Sequence, residues 1–340
     1  MANHVVVGLD LGTQNIKISS KALKGVVCEK NVIALEGSRL YAYGDDAYGM
    51  YEKAPDNITV SFPIQSGVIA NYRDMRDILV AFINKYFKNI KGATIIIAVP
   101  TDISEVEKRS YFDLVENCKF KLSNILVCEK PIAAATGLGL SVNSASGMLI
   151  VDIGADTTEI SVLSLGGIVI SRLIKVGGNH MANAISAALK KDNNLVIGQR
   201  SAQKILAEIG YAANCQEETM SIVGRDMLSG FPVTSEVKST AVYEAIKDYL
   251  EEITESVKFI LERTPPELTS DIIDNGMYVT GGVSRIKNID VLLSEATELD
   301  VNISDNPIEN AVLGLEKIAS DRELSSLAYS MSSPKNRFYK

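Results

Sequence analysis

Val151-Asp152-Ile153-Gly154-Ala155-Asp156-Thr157-Thr158, within residues 147–178, is the stretch whose reading decides the fold. It reads as a buried strand that runs into a tight glycine turn and then into a second strand over 159–163. Such a turn presents backbone N–H groups and two hydroxyls beside a carboxylate. Amides and hydroxyls of that kind hydrogen-bond phosphate oxygens, and an aspartate beside them holds a hydrated divalent ion. Taken alone, D-x-G with a trailing Thr is equally an ordinary β-turn.

A second copy separates the two readings. Residues 5–9 form a strand, followed by Asp10-Leu11-Gly12-Thr13-Gln14-Asn15 and an alternating strand, Ile16-Lys17-Ile18-Ser19. The same unit thus occurs twice, about 140 residues apart, which implies two similarly built lobes. With both turns facing one cleft, a nucleoside triphosphate would be clamped from two sides. Asp10 and Asp152 would then share a Mg²⁺ ion, largely through water.

The rest of the chain supplies an α/β frame. Strands are expected at 94–99, 125–128, 276–280 and 301–304, and helices at 72–87, from Ser104 to 118, 132–138, 181–191, 198–211, 239–263 and 311–320. Ser104 and Glu107 form an S-x-x-E capping box, and Pro131 stands where a helix would begin. Met75, Ile78, Leu79 and Phe82 recur at helical spacing, as do Val242, Ile246, Leu250, Ile253, Val257 and Ile260. Alternating strands and helices point to an α/β fold with a largely parallel sheet component. Residues 25–61 read as a small surface subdomain with exposed tyrosines (Tyr41, Tyr43, Tyr48, Tyr51), and 215–237 as strand and loop.

Composition narrows the function classes. At 340 residues the chain is long enough for two lobes, and 46% hydrophobic residues suffice for a large core. The formal net charge of −8, without a long run of one sign, argues against nonspecific nucleic-acid binding. Cys28, Cys118, Cys128 and Cys215 show no C-x-x-C pairing and only His4 and His180 join them, so a zinc site is not expected. The thiols read as reduced core residues of a cytoplasmic protein. No apolar run reaches the roughly 18 residues that span a bilayer, and residues 1–4 pass straight into strand, leaving no room for a leader.

Three stretches together resemble the superfamily of actin, the heat-shock chaperones and the sugar kinases: the turn over 8–13, the turn over 152–158, and Tyr278-Val279-Thr280-Gly281-Gly282. Within it the chain is similar to the MreB family of bacterial actin homologues. The resemblance runs through PIQSGVIANY, VPTDISEVEKR, EKPIAAATGLGL, DIGADTTEISVLSLGGIVISRLIKVGG, PPELTSDIIDNGMYVTGG and KNID. It covers nearly everything before about residue 320.

That resemblance implies an actin-like fold: two duplicated ribonuclease-H-like lobes flanking a nucleotide cleft, each with a smaller subdomain. The lobe cores would be 1–28 with 63–139 and 307–325, and 140–177 with 241–306. The small subdomains would be 29–62 and 178–240, and 326–340 would be a flexible tail. ATP or ADP with Mg²⁺ would be held by Gly12, Thr13, Gln14, Asn15, Gly154, Ala155, Asp156, Thr157, Gln203, Leu206, Gly281, Gly282 and Val283, with Asp10 and Asp152 on the metal. Subunits would add head to tail into filaments that lie on the inner membrane and guide cell-wall synthesis. Such a contact is heterologous and does not close.

Five positions depart from the family pattern. Lys130 stands where a water-positioning Glu is expected, after Glu129, and a charged Lys cannot take a proton from water. Asp156 adds a negative charge to the second turn. Gln203 and Leu206 replace the ribose-contacting Glu and a nearby Lys, and Val283 replaces a glycine of the adenosine turn. Thr157, the other water-positioning group by resemblance, is retained. Lys130 would either pair with Asp156 or contact the γ-phosphate, and hydrolysis is expected to be weak.

Two further readings stay open. One is a non-hydrolysing scaffold that co-assembles with a conventional MreB; the other is an ATP-binding protein of the pilus-assembly type. A small-molecule kinase is disfavoured, because no sugar-binding insertion separates the turns. Cell-wall elongation proteins are the expected partners. The link Lys85-Tyr86-Phe87-Lys88-Asn89-Ile90-Lys91 reads either as an interfacial membrane contact or as an ordinary helix end with its lysines placed for the dipole.

Overall fold

The computed structural model describes residues 5–332. The leader question at 1–4 and the end of the expected tail, 333–340, lie outside them. The chain divides into two units: one holds the chain up to Ser144, Leu165–Gly167 and everything from Glu309 onward, and the other holds Ala145–Ser164 and Ile168–Ile308.

The first unit is built on a five-stranded sheet of β1 (Val6–Leu11), β2 (Asn15–Ser19), β3 (Val27–Lys30), β4 (Thr94–Val99) and β5 (Asn124–Glu129). Its spatial order is β3-β2-β1-β4-β5. β1, β2 and β3 pair antiparallel, whereas β4 and β5 run parallel to β1. The second unit repeats this plan with β6 (Met148–Ile153), β7 (Thr158–Ser164), β8 (Gly167–Ile174), β9 (Met277–Thr280) and β10 (Val301–Ile303), in the order β8-β7-β6-β9-β10. β6 and β7 are antiparallel, and β9 and β10 are parallel to β6. β4 and β6 are buried at every residue, as strands covered on both faces require.

The helices cover these sheets for the reason their spacing gave. α1 (Tyr72–Tyr86) buries Met75, Ile78, Leu79 and Phe82 completely, each worth about 1.5–3 kcal/mol relative to exposure. α2 (Glu105–Asn117) begins at the Ser104–Glu107 capping box, with both reciprocal bonds present. α3 (Lys130–Gly137) packs against a helix near the C-terminus. In the second unit come α4 (Gly178–Asp192), α5 (Gln199–Ile209) and α6 (Ser239–Leu261), and the six expected apolar positions of α6 are all buried. α7 (Asn310–Ser320) lies against α3 at backbone distance. A Cβ on Gly137 would fall 1.9 Å from the Asn310 carbonyl oxygen, and one on Gly314 would fall 1.8 Å from that of Ala133.

Several expectations are corrected. Residues 219–238 are a hairpin, Thr219–Asp226 with Pro232–Lys238, rather than strand and loop. Helices at Asp45–Met50 and Pro266–Asn275 were not expected; the second opens on Pro266, which needs no N–H in the first helical turn. Of the four tyrosines read as exposed only Tyr41 is, since Tyr43 packs edge-on against Phe82 and Tyr48 stacks on Tyr51. The tail is also tied down as far as it is described. Tyr329 exchanges backbone hydrogen bonds with Val127 at 2.7 and 3.0 Å, so it adds a pairing to the outer edge of β5, and Leu327 is buried. The polar composition of that segment concealed the buried Leu327 and the backbone pairing of Tyr329.

Candidate functional site

Each unit carries its glycine turn at the same place, between the first two strands of its sheet. In the first unit the Gly12 N–H donates to the Asn15 carbonyl at 3.0 Å, and in the second the Gly154 N–H donates to the Thr157 carbonyl at 2.9 Å. The register behind the turns is also the same: Asp10 faces Lys17 across the hairpin, and Asp152 faces Glu159. Thr13, Gln14 and Asn15, like Ala155, Asp156 and Thr157, are half-buried, while both aspartates are buried.

Around the first turn, Asn31 donates its side-chain amide to the Gly12 carbonyl at 2.9 Å, and its own N–H donates to the Gln14 carbonyl. Lys17 places its Nζ 2.8 Å from Asp10 Oδ2, with both side chains almost entirely buried. Burial alone would raise the Asp10 pKa, but the charge and hydrogen bond of Lys17, together with the charge of Lys130, hold it below the usual carboxylate value. The sequence pattern assigned no role to Asn31 or Lys17. The signal for Lys17 was its place among Ile16 and Ile18 in a strand that is buried on both faces.

Lys130 opens α3. Glu129, just before it, accepts from the Tyr329 hydroxyl at 2.8 Å and lies 3.4 Å from Lys108 Nζ. Its carboxylate is therefore engaged in holding the C-terminal segment against β5.

Around the second turn, the N-terminus of α4 closes directly onto the glycine loop. The Gly178 N–H donates to the Gly154 carbonyl and the Asn179 N–H donates to that of Ala155. A Cβ on Gly177 would lie 2.7 Å from the Ala155 carbonyl, so that approach needs glycine. Gly281, with φ +90°, needs it twice over: a Cβ there would strike the Ile153 carbonyl oxygen at 2.3 Å and Asp152 Oδ1 at 2.6 Å. Thr280 and Gly281 are anchored from behind by the Pro307 carbonyl. Asp156 accepts from the Asn179 side-chain amide at 2.7 Å, and Asn179 in turn accepts from Gln203 at 2.9 Å. A chain of amides thus links α5 to the turn.

The comparisons with known proteins agree with this geometry. The family model for MreB/Mbl protein matches residues 4–326. Among curated relatives, the cell shape-determining protein Mbl of Bacillus subtilis (strain 168) is 36% identical over 315 residues, covering 91% of this chain and 93% of its own. The cell shape-determining protein MreB of Escherichia coli (strain K12) is 33% identical over 312 residues, covering 89% of each. Among solved structures, MreB5 of Spiroplasma citri bound to ADP superposes with a TM-score of 0.87 at 31% identity, over 94% of this chain and 99% of that one. The chain belongs to the MreB/Mbl family.

Its fold is the actin-like fold, which it also shares with the MamK double helical filament at a TM-score of 0.80 and 22% identity over 94% of this chain and 99% of that one. Against the MreB/Mbl pattern the expected site residues divide. Gly12 to Asn15 and Gly154 to Thr157 form the two turns, and Gly281 and Gly282 stand at the end of β9, Gly282 exposed with open space where a Cβ would go. Leu206 and Val283 are core residues: Leu206 is buried in α5, and Val283 turns its branch inward, 3.0 Å from where a Cβ on Gly178 would sit. The Val283 side chain thus fills the second unit's core. Of the two readings of 85–91, burial favours the ordinary helix end. Phe87 and Ile90 are buried in the first unit's core, and the Tyr86 hydroxyl and Lys85 ammonium both bind Glu29. Among the described residues no helix is long and apolar enough to cross a membrane.

The residues at the first turn do not fit the divalent ion expected there. One Asp10 oxygen, Oδ2, is already paired with Lys17, and a cation placed beside that carboxylate would face a buried ammonium.

Proposed function

We propose that the chain binds adenine nucleotide through its two glycine turns and assembles head to tail into filaments that help determine cell shape. The single observation that carries the reading is the duplicated turn, with the same closing hydrogen bond and the same register in two sheets of one topology. Support comes from relatives at about the same identity: MreB5 of Spiroplasma citri bound to ADP, and the same protein bound to AMPPNP at a TM-score of 0.88. Segments 29–62 and 178–240 are then the small subdomains. The protein works in the cytoplasm, beside cell-wall elongation proteins. Titration of a fluorescent ATP analogue tests binding, and pelleting with electron microscopy in ATP, ADP or no nucleotide tests assembly. Absence of nucleotide binding, or of any polymer in all three conditions, would sink the reading.

Hydrolysis is slow in this proposal. Thr157 is retained to position water, but Glu129 is tied to Tyr329 and Lys108, and Lys130 cannot act as a base. The same observation favours, as a second reading, a non-hydrolysing scaffold that co-assembles with a conventional MreB. Pelleting that needs an added conventional MreB, with no phosphate released from ATP, would support it.

A further inference from the structure

We infer that Lys17 takes over, at the first turn, the charge-compensating task that a divalent cation performs for a polyphosphate, so that this chain holds nucleotide with little dependence on Mg²⁺. The inference rests on the nucleotide reading above and concerns the same site.

The two hairpins supply an internal control. They share topology, closing hydrogen bond and register, yet the residue facing the turn aspartate is Lys17 in one and Glu159 in the other. The fold therefore does not dictate a lysine at this register position. Its ammonium is held 2.8 Å from Asp10 Oδ2 with only 11% of the side chain exposed, so it is a fixed group rather than a mobile surface one. It also lies beside the turn itself: a Cβ on Gly12 would sit 3.5 Å from Nζ. A positive charge thus stands where the turn's backbone would meet phosphate oxygens.

A hydrated divalent ion bound through water to Asp10 needs that carboxylate's free lone pairs and a locally negative field. Lys17 occupies one of the two carboxylate oxygens and cancels the negative field. Lys130, at the head of α3 in the same unit, adds positive charge to the field at Asp10. An ammonium serves a phosphate as a point charge with three donors and needs no coordination geometry. Anion compensation by fixed lysine in place of exchangeable metal follows.

The test is binding of a fluorescent ADP analogue to the full chain, in MgCl₂ and in EDTA. For the unaltered chain the dissociation constants in the two buffers are expected to agree within about threefold. For Lys17→Met, whose Asp10 is released, binding in EDTA is expected to weaken by about tenfold or more relative to MgCl₂. Far-UV circular dichroism checks that the variant folds. If it does not, the unaltered chain's Mg²⁺ series decides alone. Tight binding in MgCl₂ with a loss beyond tenfold in EDTA would overturn the inference and spare the nucleotide reading. Equal affinity in both buffers for Lys17→Met would remove Lys17 from the explanation. No binding in any buffer would remove both proposals together.

Discussion

Replacing Asp10 by Asn leaves the Lys17 ammonium buried without its counter-charge, and breaking a buried pair from one side costs about 3–5 kcal/mol. Asp10→Asn is therefore expected to lower the urea midpoint of the first unit sharply, whereas Asp10→Asn with Lys17→Met should recover most of the loss. Equal destabilisation by the single and the double variant would show that the pair itself is unimportant. The pair also has a pH signature. Asp10 is held below its ordinary value in the folded chain, so its contribution is full above the unfolded value of about 3.9 and is lost as pH falls below that toward the folded value. The gap between the unaltered chain and Asp10→Asn should close only in that acidic window, and a gap that closes near neutrality would contradict the assignment. At the neighbouring position, Lys130→Glu restores a carboxylate able to accept a proton from water. Phosphate release is expected to rise about tenfold or more, and unchanged turnover would count against any role for Lys130 in slowing hydrolysis.

Between elements, the tightest joint is α3 against α7, where two glycines let backbones meet. Gly314→Ala would put a methyl 1.8 Å from the Ala133 carbonyl oxygen, so the helices must part; a loss of about 1–3 kcal/mol or more is expected in denaturant unfolding. Gly49→Ala is the contrasting case. Gly49 lies inside the helix Asp45–Met50 with nothing within 4 Å of a built Cβ, so the substitution should stabilise by about 0.5–1 kcal/mol. The same contrast explains what the sequence made legible. Amphipathic spacing on α1 and α6, the Ser104–Glu107 box and the repeated D-x-G turns are local signals, and each corresponds to a local structure. The Gly137–Gly314 contact, the Glu129–Tyr329 bond and the burial of Phe87 and Ile90 join residues distant in the chain or depend on the surrounding core, and no window of sequence displays them. Lys17 lies between: its strand was legible, but its partner was decided by hairpin register.

At the scale of the whole molecule, the formal net charge of −8 opposes any assembly that stacks copies of one chain. In head-to-tail addition every new subunit brings the same excess of negative charge toward the polymer end. Screening shortens the reach of that repulsion from about 30 Å at 0.01 M salt to about 8 Å at 0.15 M. Contacts buried within an interface are screened much less than exposed charges. The proposed filament should therefore grow more readily as KCl rises across that range, with a falling critical concentration in pelleting assays at fixed nucleotide. Because KCl is monovalent and does not compete for a divalent site, the trend separates screening from metal binding. An equal gain from MgCl₂ at matched ionic strength would fit charge screening alone. A critical concentration that instead rises steadily with KCl would mean that exposed ion pairs between subunits, rather than buried apolar contact, hold the polymer together.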